Sequence, residues 1–300
     1  MYNVYIVYGI KRNISFDMEC YDHSSNNKFI LFEKLHKKPF DSCRYFYDKS
    51  NSKDLIITSS LDSHVKIIDF KKRLSTIIFD FDFEGIDNVI INSSYFIDNK
   101  VLIPFAFHHS IGKVLFYDLK GAFINELKDD PGFILGLNGY YNNNTKINYA
   151  IISNSVGIYV YNINDYYLYN KFIPKKPYKS TSFFDSHILE KDEKIILFGP
   201  SFSTGYIFLW NLINKDLIDV IILPLGIMDM CIWDKNYIFV SLNGTSRDFV
   251  LINLNNKEIE KEFSNLKVNC CGIHLFKNRV AGNFLILCST QGKLYLYCNN

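Results

Sequence analysis

Residues 58–69 read Thr58-Ser59-Ser60-Leu61-Asp62-Ser63-His64-Val65-Lys66-Ile67-Ile68-Asp69. The stretch has a turn signal at Asp62 and Ser63, with β-branched residues on both sides of it. It ends on an aliphatic residue followed by Asp. This arrangement predicts two antiparallel strands joined by a tight turn, with the phrase Ile68-Asp69 at the end of the second strand.

The same closing phrase recurs along the chain as an aromatic or aliphatic residue followed by Asp or Asn. It appears as Tyr21-Asp22, Ile68-Asp69, Tyr117-Asp118, Tyr161-Asn162, Trp210-Asn211 and Ile252-Asn253, and Tyr297-Cys298 follows at the next interval. The second residues of successive phrases are 47, 49, 44, 49, 42 and 45 positions apart. A near-constant period in the forties indicates seven repeats of about four short strands each.

The strand that carries each phrase is preceded by a tight turn. Four of these turns contain a glycine, which suits a hairpin because such turns often need a positive φ; they are at Gly112, Gly157, Gly205 and Gly292. The second repeat is the best formed, and its strands are predicted at 40–48, 54–60 and 64–70. No stretch has a sustained apolar period of 3.6 residues, so few helices are expected.

The quoted stretch resembles the repeat core of the WD-repeat family, which reads Ser-Gly-Ser-x-Asp-x-Thr-Ile-Lys-Ile-Trp-Asp. A second stretch, Met230-Cys231-Ile232-Trp233-Asp234 with 237–241, resembles that family's inner strand and the strand after it. The resemblance covers nearly the whole chain, although a Trp stands at the hallmark position only at Trp210. It implies an all-β fold, namely a seven-bladed β-propeller of four-stranded antiparallel blades, in a single domain over residues 1–300.

In that family, a His, a Ser or Thr, the turn Asp and the Trp form a buried hydrogen-bond network within a blade. Here the second repeat offers His36, Ser60 and Asp62, while Ile68 replaces the Trp. The resemblance therefore implies a partial network, with a partly solvated His36 as the alternative. Aromatic and aliphatic packing between blades should supply most of the stability.

The two ends of the chain follow the repeat less regularly. The sequence begins near a second-strand pattern at Asn3–Gly9 and ends after a third-strand pattern at Leu294–Tyr297. How the first and last blades close is therefore left open. Either the N-terminal segment closes the ring in a nonstandard way, or an unpaired strand edge accepts a strand from a partner.

Composition excludes several classes of function. The formal net charge is +2, from 33 basic and 31 acidic residues, so no global field attracts nucleic acid or an anionic membrane. Seven Cys without a C-x-x-C pair indicate neither a disulfide framework nor a zinc site, and reduced thiols suit a cytoplasmic or nuclear protein. The N-terminus lacks a signal-peptide profile, and the longest apolar run, Val220–Met228, is too short to span a bilayer.

No catalytic or metal-binding pattern emerges from the sequence. His108 and His109 are the most suggestive pair, but adjacent residues on a strand point to opposite faces, so a surface loop is the favoured interpretation. Gly132, Gly136 and Gly139 are not followed by a helix, as a phosphate loop would require. We therefore expect no enzyme activity, no cofactor and no metal site.

Two basic clusters are the candidate binding residues, and both lie in predicted connections between blades. They comprise Lys37, Lys38, Lys175, Lys176 and Lys179. The predicted connections after the second and third blades are acidic, with Asp82, Glu84, Asp87, Asp129 and Asp130. Such connections emerge on one face of a propeller, so a charge-divided face could recognise a partner of complementary charge. The alternative is that exposed loops are charged only because they are solvated.

The leading interpretation is a non-catalytic scaffold or adaptor that binds other proteins. One alternative is a propeller that binds phosphoinositides at membrane surfaces; that family carries Phe-Arg-Arg-Gly, which Phe70-Lys71-Lys72-Arg73 approaches without the glycine. Another is an open propeller completed by a partner's strand. An enzyme that uses the axial funnel would need several polar residues converging on one mouth of the channel.

Overall fold

The computed structural model describes most of the chain. The described residues are 5–12, 15–22, 27–38, 40–81, 89–91, 94–107, 111–127, 132–178, 182–243, 249–263, 270–278, 282–289 and 294–298. Every helix or strand in these ranges is a β-strand, so the predicted all-β class is confirmed. The strands form seven sheets that follow one another along the chain, here numbered sheet 1 to sheet 7.

The chain divides into two compact units. Unit 1 comprises Met1–Ala150 with Asn162–Tyr167, and unit 2 comprises Ile151–Tyr161 with Leu168–Asn300. The division passes through sheet 4. That residues 1–300 form one domain stays a prediction.

Sheets 1, 2 and 3 belong to unit 1. Sheet 1 has the order β1 (Tyr5–Arg12), β2 (Ser15–Asp22), β3 (Asn27–His36). Sheet 2 has the order β4 (Phe40–Asp48), β5 (Lys53–Ser60), β6 (His64–Asp69), β7 (Leu74–Asp80). In sheet 3 two short strands, β8 (Val89–Ile91) and β9 (Tyr95–Ile97), both pair with β10 (Lys100–Phe107), which is followed by β11 (Ile111–Asp118) and β12 (Phe123–Glu126).

The later sheets repeat the same order. Sheet 4 contains β13 (Ile134–Asn142), β14 (Ile147–Asn154), β15 (Ile158–Asn162) and β16 (Tyr167–Phe172). Sheet 5 contains β17 (His187–Lys191), β18 (Lys194–Pro200), β19 (Tyr206–Asn211) and β20 (Leu217–Ile222). Sheet 6 contains β21 (Ile227–Ile232), β22 (Tyr237–Leu242), β23 (Phe249–Asn253) and β24 (Glu258–Phe263), and sheet 7 contains β25 (Cys270–Asn278), β26 (Gly282–Ser289) and β27 (Leu294–Cys298).

The sequence located the strands of the second repeat to within one residue. The strands predicted at 40–48, 54–60 and 64–70 are β4, β5 and β6, and each pairs antiparallel with the next. Within the described residues, sheets 1 and 7 have three strands each. Closure by a partner's strand is not tested by this observation and stays a prediction.

The closing phrase recurs because its Asp or Asn caps the turn between the third and fourth strands. In sheet 5, Asn211 Oδ1 accepts hydrogen bonds from the backbone N–H groups of Ile213 at 2.9 Å and Asn214 at 3.0 Å. Side chains of this kind mimic a backbone turn and fix its direction. The same bond forms from Asp69, Asp118, Asn162 and Asn253 to the turns that follow them.

A β-bulge recurs at the same place in four sheets. The register between the third and fourth strands shifts between Ile67 and Ile68, and equivalent shifts occur at Phe116/Tyr117, Leu209/Trp210 and Leu251/Ile252. A bulge increases the local twist of the outer strand, which makes its free edge a poorer template for an unwanted strand. The phrase thus marks a bulge as well as a turn.

Consecutive sheets pack face to face within each unit. In unit 1, Val65 and Ile67 of sheet 2 share a buried core with Val101 and Ile103 of sheet 3. In unit 2 the core between sheets 5 and 6 includes Ile207, Leu209, Val240 and Val250. The second strand of a sheet is covered on both faces, whereas the outer strand is largely exposed, as β5 and β24 illustrate. Aliphatic and aromatic packing between sheets therefore forms the core, as the sequence predicted.

Candidate functional site

The predicted polar network exists at the junction of sheets 1 and 2, and His36 is at its centre. The His36 residue is 1% exposed, so the partly solvated alternative is wrong. Its Nδ1 lies 3.1 Å from both carboxylate oxygens of Asp62, and its Nε2 lies 2.9 Å from Thr58 Oγ1. Burial on this scale requires that each ring nitrogen has a hydrogen-bond partner, and both nitrogens do.

The partners of His36 fix its tautomer. A carboxylate can only accept, so Nδ1–H donates to Asp62; in the neutral ring, which has a single N–H, Nε2 then accepts from the Thr58 hydroxyl. Burial lowers the pKa of His36, and the hydrogen bond to Asp62 opposes this only in part. Burial alone would raise the pKa of Asp62, but hydrogen bonds from His36 and from the Lys37 backbone N–H hold it well below its usual value. The ring is therefore neutral at pH 7 beside an ionised carboxylate.

Thr58 is the member of this network that the sequence reasoning missed. Ser60, the predicted member, joins the network through Asp62: its hydroxyl is among the groups that lower the pKa of Asp62, and its Oγ accepts from the Asp62 N–H at 3.2 Å and lies 3.0 Å from the Lys38 carbonyl. Thr58 and Ser60 are two positions apart on β5 and therefore share a face, so the alternation of side chains along the strand could not distinguish them. Their distance from the turn would have been the only signal.

Lys37 and Lys38 lie in the connection that this network holds in place. Both side chains are exposed. The Lys37 backbone N–H donates to Asp62 Oδ2 at 2.8 Å, and the Lys38 carbonyl accepts from Ser60. The network thus anchors the backbone of the connection and leaves two ammonium groups in solvent.

Lys175 and Lys176 lie in a second connection, which belongs to unit 2. Both side chains are exposed, and Lys179 lies outside the described residues. The Tyr178 N–H donates to the Lys175 carbonyl at 3.1 Å and closes a four-residue turn that contains Pro177. The structure therefore brings Lys175 and Lys176 together in one turn. That the two basic clusters share one face stays a prediction, and the predicted acidic residues Asp82, Glu84, Asp87, Asp129 and Asp130 lie outside the described residues.

The Lys175–Tyr178 turn is seated on a ladder of aromatic rings. The Tyr178 ring stands edge-on to Tyr206 and Phe208, with centroid distances of 5.7 and 5.8 Å. Phe208 stacks on Trp210 at 5.2 Å, and Trp210 is buried. The only Trp at the hallmark position therefore supports the ladder that carries this turn.

Aliphatic side chains are exposed on both sides of the turn. Ile222 is 65% exposed and pairs across the sheet with Tyr206, which places both side chains on the same face. On the other side, Val156 is 52% and Ile173 is 41% exposed. A Cβ on Gly157, the neighbour of Val156, would lie 3.0 Å from Ile173 Cγ1, so these segments are in contact. The six residues Val156, Ile173, Lys175, Lys176, Tyr178 and Ile222 are hereafter the 173–178 surface.

A polar group on the first strands of sheets 2, 3 and 4 bears on the enzyme hypothesis. The Arg44 guanidinium lies 4.9 Å from the centre of the Tyr95 ring, and Arg44 Nη1 donates to Asn138 Oδ1 at 3.4 Å. A cation, a phenol and an amide can orient an anionic group, but these three side chains supply no paired nucleophile and base. The enzyme interpretation gains no support from them.

Metal and membrane sites are not found in the part of the chain that the structure describes. No three or more His, Cys, Asp or Glu side chains are grouped there in a way that could hold a metal ion. The pair His108 and His109 lies outside the described residues. None of the described segments is a helix long and apolar enough to cross a bilayer. Cys43 is half-buried and Cys231 is buried, and neither forms a disulfide bond among the described residues.

The fold is similar to that of a solved structure. No protein-family model and no curated protein matches this chain. A WD40 propeller chain in the crystal structure of the mitotic checkpoint complex superposes with a TM-score of 0.71 at 9% identity, over 98% of this chain and 84% of that chain. The predicted propeller fold is confirmed by this likeness together with the repeated sheets. At 9% identity the likeness concerns the fold alone.

Proposed function

We propose that this chain is a non-catalytic propeller that binds other proteins, as a scaffold or adaptor subunit of a larger assembly in the cytoplasm or nucleus. The 173–178 surface carries this proposal. Three exposed aliphatic residues flank a turn with two solvent-exposed lysines, and exposed apolar side chains next to charged groups are typical of a surface that binds another protein.

The similar fold gives additional support. The matched propeller comes from a mitotic checkpoint complex, which is a multi-protein assembly. Packed sheets with exposed connections are suited to holding partners, because a surface that is ordered before binding loses little entropy on association. The identity of the partner does not follow from this likeness.

The proposal is tested by affinity purification from the cells that express the chain. The double variant Val156→Ser/Ile222→Ser should lose a stable partner that the wild-type protein retains, since both substitutions remove exposed apolar area. Leu74→Ser/Ile78→Ser is the matched control, because these residues of β7 are exposed to a similar degree, at 61% and 56%. Repeated recovery of the wild-type protein as a lone monomer would contradict the proposal.

A further inference from the structure

We propose that the 173–178 surface binds an acidic segment of its partner, as an extended peptide in which carboxylates lie next to aliphatic or aromatic side chains. The inference rests on the proposed function and specifies the chemistry that the partner must present. Three features of the surface lead to it: the state of its lysines, the position of its apolar residues and the rigidity of its support.

The first feature is that the positive charge of the turn is not neutralised by the described part of the chain. Lys175 and Lys176 are exposed, and neither ammonium group has an ion pair among the described residues. Other lysines of the molecule do, as Lys113 pairs with Glu126 at 3.3 Å and Lys71 with Asp54 at 3.1 Å. Two adjacent unneutralised charges create a local positive potential in a protein whose formal net charge is only +2. The complementary group is an anion.

The second feature is that apolar side chains lie near both ends of the turn. Val156 and Ile173 form one flank, and Ile222 with the Tyr178 ring forms the other. An isolated anion would leave these side chains in water. A peptide that follows the turn would cover both flanks and place its carboxylates against the lysines between them, so the arrangement favours alternating apolar and acidic residues.

The third feature is that the turn is rigidly supported. Its closing hydrogen bond joins Tyr178 to Lys175, and the Tyr178 ring rests on Tyr206 and Phe208. Because the turn is ordered by contacts within unit 2, binding would not have to order it. The surface is therefore suited to binding a partner segment that is flexible before it binds.

An anionic membrane is the other class of partner that two lysines and exposed aliphatics could meet. Binding to acidic lipids generally uses about four to eight basic residues close together, since each contributes only a small attraction. The described part of this surface has two. Peptide recognition therefore fits the arrangement better.

The test is selection from a random peptide library displayed on phage, using the full-length protein as bait. Enriched peptides should combine Asp or Glu with aliphatic or aromatic residues. Synthetic versions should bind Lys175→Glu/Lys176→Glu at least about tenfold more weakly than wild type. The control Lys49→Glu/Lys120→Glu makes the same change in net charge at two other exposed lysines and should leave the affinity unchanged.

Three results would overturn the inference. The first is a set of enriched peptides whose binding is the same in wild type and Lys175→Glu/Lys176→Glu. The second is the absence of any binding peptide while the cellular partner still depends on Val156 and Ile222, in which case the proposed function stands alone. The third is lysine-dependent flotation with vesicles of phosphatidylcholine and phosphatidylserine, which would assign the surface to a membrane. Failure of the proposed function is seen separately, as a lone monomer in cells.

Discussion

At the scale of single residues, the network around His36 depends on one hydroxyl group. The His36 ring is neutral because burial lowers its pKa, and its one N–H donates to Asp62, so the ring nitrogen that faces Thr58 has no hydrogen. Thr58 Oγ1 lies 2.9 Å from this nitrogen and 3.5 Å from the Lys66 carbonyl, and it has a single proton to give. The nearer acceptor determines where that proton goes.

Replacing Thr58 by Val should lower the free energy of unfolding by about 1–3 kcal/mol, because a buried ring nitrogen loses the hydrogen bond from the Thr58 hydroxyl while the side-chain volume is kept. Urea unfolding followed by circular dichroism measures the change. Thr58→Ser keeps the hydroxyl and should cost clearly less. Equal losses in the two variants would show that packing of the methyl group, rather than the hydrogen bond, is what matters.

The lowered pKa of His36 gives a pH dependence with a defined sign. Between the unfolded pKa near 6.5 and the lower pKa of the folded state, the unfolded chain binds a proton that the folded chain does not. Stability from this group is therefore complete above about pH 6.5 and is lost as the pH falls through the folded pKa. The lowered pKa of Asp62 acts in the same direction but only below its unfolded value of 3.8.

His36→Gln should accordingly be less stable than wild type at pH 7.5 and should lose less further stability between pH 7.5 and pH 5. Urea midpoints at several pH values measure both effects. His64 also contacts Asp62, at 3.6 Å, so the comparison is made with His64→Gln in both proteins, and histidines distant from the network then cancel. Parallel pH profiles for the two proteins would refute a buried neutral His36.

At the scale of elements, the closing phrase unites a strand end, a bulge and a turn. Its first residue follows the bulge, and its second caps the turn that leads into the outer strand. This explains why the second position accepts either Asp or Asn: both have a side-chain oxygen that can accept from two backbone N–H groups. The first position accepts Ile, Tyr or Trp because it needs a large apolar side chain, which is buried at Ile68, Tyr161, Trp210 and Ile252 and half-buried at Tyr117.

Asn211→Ala should destabilise the protein by about 1–2 kcal/mol, because the N–H groups of Ile213 and Asn214 lose their acceptor. Asn211→Asp should be close to neutral, since Asp118 performs the same role in sheet 3. Thermal unfolding of the two variants gives the comparison. A loss for Asp as large as that for Ala would contradict the role assigned to the side-chain oxygen.

At the scale of the whole molecule, stability comes from contacts between one sheet and the next. In unit 2, Ile273 of sheet 7 packs with Cys231 and Phe239 of sheet 6 and is 4% exposed. Each such junction buries one face of a sheet that could not be stable alone. A substitution that disturbs packing at a junction should therefore affect both of the sheets that form it.

Ile273→Ala should cost about 2–5 kcal/mol through lost burial and the cavity left behind. It should also speed the reaction of the buried Cys231 thiol with a maleimide reagent, because the thiol lies across the junction from the cavity. Ile222→Ala is the control, since that residue is 65% exposed. Labelling is read by mass spectrometry of peptides, and an unchanged rate at Cys231 in Ile273→Ala would count against coupling across this junction.

The repeat, the strands of the second repeat and the turns at Asp62, Gly157 and Gly205 were predictable from the sequence. These features are local, because alternation of side chains, a turn residue and a capping Asp or Asn each give a sequence pattern only a few residues long. The patterns could be recognised because they recur in successive repeats. The turn predicted at Gly112 was wrong, because Gly112 lies within β11, and Gly292 lies outside the described residues. The candidate network was predicted in part, because His36 and Asp62 stood at recognisable positions whereas Thr58 and Ser60 were interchangeable by period.

Contacts between distant parts of the chain were decided by the tertiary structure alone. The sequence placed two lysines in a connection, but only the fold set their turn on the Tyr206 and Phe208 rings and placed Ile222 beside it. The two-residue alternation along a strand predicts which of its side chains share a face. It does not predict which other part of the protein packs against that face. That is decided by how one sheet stacks on the next, which depends on the volumes of all the side chains between them.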